Sequence, residues 1–258
     1  MLPMRKGFER IRSENNLRKT SPRPAGRQPE AKVKNWLQIR NAPAKIPTFA
    51  IRMLPYVNIH THRPTGSGIE LRTAGVHPWD AATQDAATLG QRLGGAQAVG
   101  ETGLDFVRGA DRAAQLSALR TQLRLARERG LPVVLHCVRA FEPLMRELAA
   151  SEPRAVIFHG FIGSPEQARQ ALAKGYCLSF GERTFASPKT LAALRETPLS
   201  QLFLETDDSP VPIAEIYARA AEAKGVPEEE LQRAILDNYK RIFTGGEYEG
   251  PGRTKGDK

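Results

Sequence analysis

Beyond Met53 the chain repeats one pattern, in which short apolar runs alternate with longer amphipathic stretches. That alternation is the mark of βα units wound around a parallel sheet. Strands are expected at Pro55–His60, Ile69–His77, Gln97–Glu101, Pro132–His136, Ala155–His159, Tyr176–Phe180 and Gln201–Glu205. Between them, "DRAAQLSALRTQLRLARERG" carries apolar residues at helical spacing and ends on Gly130, a C-terminal cap. "SPEQARQALAKG" opens with Ser164 as N-cap and Pro165 at the first helical position. Further helices fit Ala140–Ala149, Pro188–Arg195, Pro212–Lys224 and Pro227–Phe243. Seven strand-like runs, most followed by a helix, suit an α/β chain closed as a (β/α) TIM-type barrel of seven to eight strands. No GxGxxG loop follows the first strand, which argues against a doubly wound dinucleotide fold.

The polar residues fall where such a barrel would use them. All five histidines of the chain come at the carboxyl end of an expected strand. His60 and His62 close "YVNIHTH", His77 follows in "AGVHP", His136 ends "PVVLH" and His159 ends "AVIFH". Glu101 ends the third strand, and Glu205 and Asp207 follow the last one in "LFLETDD". In a closed barrel these ends share one rim, where active sites are built. Four imidazoles, with His77 nearby, and two carboxylates make a site for one or two divalent ions, with Mg²⁺, Mn²⁺, Zn²⁺ or Co²⁺ all compatible. A cation there offsets the cost of placing Glu101 and Asp207 at an apolar mouth.

Charge divides the chain. Of its 38 Lys+Arg and 28 Asp+Glu, residues 1–52 hold 13 and 3, leaving 25 of each in the remainder. The whole excess of +10 therefore sits in a polar, proline-dotted leader without periodicity, which reads as a disordered basic extension. Three accounts of it stand: a nucleic-acid-binding arm, an Arg-rich transit peptide weakened by Glu9, Glu14 and Glu30, or an inert extension or over-long start preceding a natural one at Met53. The barrel itself, residues 53–245, is near neutral, and residues 246–258 form a Gly-rich, charged tail expected to fray. No apolar run reaches the roughly 18 residues of a membrane span. Two cysteines, Cys137 and Cys177, give no disulfide framework and point to a reducing, cytoplasmic setting.

The segments "NIHTH", "GVHPWD", "VGETGLDF", "VLHC", "IFHGFIGSPEQA", "LETDDSP" and "NYKRIF" resemble, in order and spacing, the TatD-type metal-dependent hydrolases of the amidohydrolase-like barrel group. The resemblance runs from Tyr56 to Phe243. It implies a distorted barrel, metal ligands His60, His62, Glu101, His136, His159 and Asp207, and Glu101 bridging two ions. It also implies phosphodiester cleavage in DNA, and the near-neutral charge of the barrel points to strand ends or short oligonucleotides rather than long duplexes as substrates. The ion would lower the pKa of its water to roughly 7, and Asp207 would accept the proton. His77 is the expected substrate contact, or a structural imidazole capping the turn before Pro78. Glu205 either supports the ligands from behind or forms an ordinary ion pair.

Three departures stand out. Asn58 replaces the Asp usual two positions before the first histidine. Only the 14 residues "RPTGSGIELRTAGV" separate His62 from His77, where longer members place a helix. The Arg often found two positions after the fourth-strand histidine is displaced to Arg139, which reaches a phosphate or covers the barrel edge. Two rival readings remain: an ester or amide hydrolase on the same metal site, such as a D-aminoacyl-tRNA deacylase, and a nucleic-acid binder with an idle barrel.

Overall fold

The computed structural model describes residues 54–245. The expectations for the basic leader, for a start at Met53 and for the tail at 246–258 lie outside the described residues.

The strands are short and all parallel. β1 (Val57–Asn58) pairs with β2 (Ile69–Glu70), and β3 (Thr73–Ala74) opens a six-stranded sheet. That sheet continues in chain order through β4 (Ala98–Asp105), β5 (Val133–Val138), β6 (Val156–Phe158), β7 (Cys177–Phe180) and β8 (Leu202–Leu204). Two joints close the ring. Ile59 donates its N–H to Leu204 O at 3.1 Å, and Thr61 bridges Asp207, which ties β8 to β1. At the other joint, Leu71 N–H bonds Asn58 O while Arg72 O accepts from Gln97 N–H. The chain changes partner between those two residues.

The single strand expected over Ile69–His77 is therefore two fragments, one serving each neighbour. With no helix between His62 and His77, this one stretch must fill a barrel position and turn the corner. The barrel is distorted for that reason.

β4 also departs from expectation. It runs on to Asp105 rather than ending at Glu101, and β5 runs past His136 to Val138. The cause is local. The β4–β5 register shifts between Val99 and Thr102, after which Thr102–Asp105 pair with Leu135–Val138. A bulge of this kind re-aims a side chain and lets the ladder resume beyond it. Here it turns Glu101 into the barrel mouth. Gly103 makes the resumed ladder possible, because at its φ of 142° an added Cβ would lie 2.0 Å from His136 O.

Helices jacket the ring. α1 (Leu89–Arg92) is a single turn. α2 (Arg112–Arg129) starts on Asp111, whose Oδ1 accepts from Ala113 and Ala114 N–H, and stops on left-handed Gly130. α3 spans Phe141–Ser151. α4 (Pro165–Ala173) has Ser164 as N-cap in a full capping box with Gln167. α5 (Pro188–Glu196), α6 (Ile213–Lys224) and α7 (Glu228–Phe243) complete the set. Their buried faces, including Leu119, Leu123, Leu144, Leu148, Leu194, Ile216 and Ile235, pack on Val133, Ile157, Leu178 and Phe203 of the strands. Each such side chain stabilises the fold by about 1.5–3 kcal/mol through burial. β1, which has few ladder bonds, is held by Tyr217 of α6: its hydroxyl donates to Val57 O at 3.0 Å and accepts from Val57 N–H at 3.2 Å.

Candidate metal centre

Every histidine of the chain converges on one carboxylate, that of Glu101. Its Oε2 lies 3.3 Å from His60 Nε2 and 3.5 Å from His62 Nε2. Its Oε1 lies 2.6 Å from His136 Nδ1, 2.7 Å from His159 Nε2 and 3.2 Å from His77 Nε2. The two oxygens of one side chain thus face two separate groups of nitrogens.

Asp207 completes the first group, with Oδ1 3.5 Å from His62 Nε2 and 3.8 Å from His60 Nε2. It is placed by the β8–β1 joint, where Asp207 N–H bonds His60 O and His62 N–H bonds Asp207 O, both at 3.1 Å. Its φ of 52° is a left-handed conformation that Asp tolerates better than most side chains. Asn58 contributes to the same joint. Its Nδ2 donates to Thr206 Oγ1 at 2.9 Å and its Oδ1 accepts from Thr206 N–H at 3.0 Å, so it anchors the backbone beside Asp207.

The donor set fits a divalent cation. Imidazole nitrogens and carboxylate oxygens bind such ions at about 2.0–2.2 Å, so neighbouring donors around a tetrahedral centre stand about 3.4 Å apart. The His60, His62, Glu101 and Asp207 separations match that spacing. Four overlapping groups of three donors each have all their atoms within 4.8 Å of one another: His60–Glu101–His159, His60–His62–Asp207, His77–Glu101–His136 and His159–Glu205–Asp207.

Two carboxylates behind the imidazoles set which nitrogen faces inward. Glu205 is fully buried, and its Oε1 lies 3.3 Å from His159 Nδ1 while also accepting from Gly160 N–H at 2.7 Å. A proton on Nδ1 leaves the Nε2 lone pair of His159 free for the centre. Asp105 Oδ2 stands 3.4 Å from His136 Nε2, which frees Nδ1 of that ring in the same way. Asp105 also accepts from Trp79 Nε1–H at 2.8 Å.

Neither Asp105 nor Trp79 was singled out by the sequence reading, although both lie inside quoted motifs. The signal was there: Asp105 falls four residues after Glu101 on a strand assumed to have ended. For Glu205 both alternatives meet in one contact, since the carboxylate lies behind His159 and forms an ion pair with it at 3.3 Å. For His77 the structure shows the capping role, with Nε2 left facing the centre. Its Nδ1 accepts from Trp79 N–H at 3.2 Å as the cap of a short 3-10 turn, and its Nε2 faces Glu101. With Nδ1 so engaged, a neutral His77 carries its proton on Nε2 and presents a donor.

Burial favours protonated Glu101, and the imidazoles of His159, His136 and His60 outweigh it, holding that carboxyl far below the usual range. For His159 burial favours the neutral ring, and Glu101 and Glu205 overcome it and raise the imidazole well above its ordinary value. Asp207 moves the other way. Burial raises it, and the negative charges of Glu205 and Glu101 add to that against His159 and His60. A cation among these buried carboxylates would offset the cost of burying their charge. Burial pushes the Cys137 thiol up to about 12, so this neighbour of His136 is inert at neutral pH.

A cavity opens over the cluster, lined by His62, His77, Glu101, His136, His159 and Asp207 together with Trp79, Arg108 and Arg183, and a second one, lined also by Glu205, meets it along His136, His159 and Asp207. Arg139 is not among its lining residues. It is exposed at a left-handed φ of 53° and lines a neighbouring cavity with Gln167 and Lys189.

Comparison with known proteins gives the family. The family model described as "TatD related DNase" matches residues 67–244. The chain belongs to the TatD family. Among TatD relatives, a protein of Cronobacter sakazakii named "3'-5' ssDNA/RNA exonuclease TatD" is 42% identical over 147 residues, covering 52% of this chain and 56% of the relative. A protein of Escherichia coli named "Uncharacterized metal-dependent hydrolase YjjV" is 34% identical over 164 residues, covering 57% of this chain and 63% of the relative. The chain thus spans about three fifths of the length of these two relatives. The crystal structure of YjjV, described as a TatD homologue, superposes with a TM-score of 0.61 at 29% identity, over 68% of this chain and 77% of that one. The TatD assignment carries the barrel fold with it, and the ring closed by β1 and β8 is this chain's version.

Proposed function

We propose that this chain is a divalent-metal-dependent hydrolase that cleaves phosphodiester bonds in single-stranded DNA or short oligonucleotides. The observation that carries the reading is the division of Glu101, with Oε2 turned to His60 and His62 and Oε1 turned to His136 and His159. His60, His62, Asp207 and Glu101 would hold one ion, and Glu101, His136 and His159 a second. Magnesium, manganese and zinc are the candidate metals. A divalent ion supplies Lewis acidity and a water of lowered pKa.

The chain's own groups do the rest. Asp207, the carboxyl biased toward its protonated form, is the group suited to accept a proton from the attacking water. His77 offers its Nε2–H toward the same centre and would hold a phosphate oxygen. Glu205 and Asp105 keep His159 and His136 in the ligating tautomers. Arg139, lying outside the cavity, would act only on parts of a substrate that extend beyond it.

Among the described residues no helix is long and apolar enough to cross a membrane. The free thiols of Cys137 and Cys177 favour a cytoplasmic setting.

The test is hydrolysis of a single-stranded oligonucleotide and of D-aminoacyl-tRNA by one preparation loaded in turn with Mg²⁺, Mn²⁺ or Zn²⁺. Oligonucleotide cleavage that is lost in His136→Ala and Asp207→Ala supports the reading. Turnover of the aminoacyl ester alone would replace it with the ester-hydrolase reading, and turnover of neither with any metal would refute it.

A further inference from the structure

Among the described residues, the large hydrophobic side chains left exposed are three: Trp79 at 46%, Val107 at 64% and Ile162 at 42%. They are far apart in sequence, yet all three line the cavity over the metal cluster. Scattered single apolar residues on a surface need no explanation, but a set gathered at one polar site marks a ligand.

Trp79 is also held rigidly. Its Nε1–H donates to Asp105 Oδ2 at 2.8 Å, and its backbone N–H is bonded to His77 Nδ1. The segment following Asp105 is locked against it. Asp105 Oδ1 accepts from Val107 and Arg108 N–H, and Gln115 Nε2 donates to the carbonyls of Asp105, Arg108 and Ala110. Gly109 comes so close that an added Cβ would lie 2.9 Å from Trp79 Cδ1. An indole fixed along its edge while nearly half exposed is a preformed platform, with little side-chain freedom to lose on binding. The Arg108 guanidinium lies over the indole, 5.6 Å from the ring centroid, so positive charge stands against one face and the other is the stacking face.

A ligand matching this surface has a flat apolar face next to an anion, a few ångströms from the metal donors. His77 links the two regions: its ring stacks edge to face with Trp79 at 4.7 Å while its Nε2 faces Glu101. We propose that Trp79 is the stacking platform for an unpaired nucleobase adjoining the scissile phosphodiester, with Arg108, over the indole, meeting the next phosphate. The proposal rests on the phosphodiesterase reading given above and adds a base-binding subsite to it. A paired base cannot offer its face to an indole without leaving its stack, so the subsite selects single strands.

Two variants and two substrates test it. The substrates are a short single-stranded DNA and the same backbone with abasic residues, compared by kcat/KM in one metal. Stacking on an aromatic side chain strengthens binding by about 10- to 100-fold per base. Trp79→Ala should lower the preference for the base-bearing strand by that factor, mostly through KM. Trp79→Phe, which keeps a stacking face but loses the N–H donated to Asp105, should retain most of the preference. An unchanged preference in Trp79→Ala would overturn the proposal. So would a Trp79→Phe variant as impaired as Trp79→Ala, since Trp79 would then act only through Asp105.

Should the parent protein cleave neither strand with any metal, the phosphodiesterase reading fails, and binding alone decides the subsite. The chain has two tryptophans, so Trp36→Phe leaves Trp79 as the only indole. Quenching of its emission by the base-bearing strand and not the abasic one supports the platform; no difference between the strands overturns it.

Discussion

Glu205 is bonded to His159 from behind, 3.3 Å from Oε1 to Nδ1, while His159 turns Nε2 to Glu101 at 2.7 Å. A carboxylate with no solvent exposure thereby fixes the tautomer of a ring at the centre. Replacing Glu205 by Gln keeps the shape and removes the charge. Metal affinity is expected to fall about 10- to 100-fold, read by competition with a chromogenic chelator, with little change in secondary structure. Unchanged affinity would mean that His159 is oriented without Glu205.

Asn58 supplies a second prediction, since its amide both donates to Thr206 Oγ1 and accepts from Thr206 N–H. Asn58→Asp loses the donated bond and adds a buried negative charge near Glu205 and Asp207. The chelator-treated variant is expected to be less stable than the parent by about 1–3 kcal/mol, measured from denaturant midpoints. Saturating metal should recover part of the loss. Equal stability of the two metal-free proteins would contradict this account.

Acidity enters through His159. In the metal-free chain burial opposes its protonation, and Glu101 and Glu205 overcome that and raise it well above the ordinary value. A raised imidazole contributes stability fully present below its unfolded value, about pH 6.5, and lost as pH rises through the folded value. Metal binding must expel that proton, so affinity for the ion should increase with pH. Melting of chelator-treated parent and His159→Gln across this range should show the parent's advantage shrinking upward from neutral pH. An advantage that grew with pH would reverse the assignment.

Gly103 tests the bulge that aims Glu101. Alanine there would bring a Cβ within 2.0 Å of His136 O at a φ that L residues rarely adopt. A loss of about 3 kcal/mol or more is expected, along with weakened metal binding, because the strand resuming past Glu101 would be pushed from β5. Gly130→Ala is a useful contrast: its φ is also positive, but nothing lies within 4 Å of the added Cβ. It should cost less and leave the metal site intact.

Much of this was written openly in the chain. Short apolar runs gave the β5, β6, β7 and β8 positions, and Ser164, Pro165 and Gly130 marked helix ends with caps whose chemistry is local. The histidines could be gathered on one rim because each follows an apolar run. What the sequence hid depends on long-range pairing. The break between Leu71 and Arg72 arises only once β1 and β4 compete for the same stretch. The continuation of β4 to Asp105 needs the β5 register, and with it came the Asp105–His136 and Asp105–Trp79 contacts. Spacing from His136 alone offers Arg139 to the site, whereas its left-handed backbone places it at the neighbouring cavity.

Anomalous X-ray scattering from crystals soaked in Mn²⁺ or Zn²⁺ tests the central claim most directly. The account predicts density within about 2.0–2.2 Å of Glu101 Oε2, His60 and His62, and a second position beside Glu101 Oε1, His136 and His159. Crystals that take up the ion elsewhere, or that leave Glu101 hydrogen-bonded to its imidazoles at saturating metal, would contradict it.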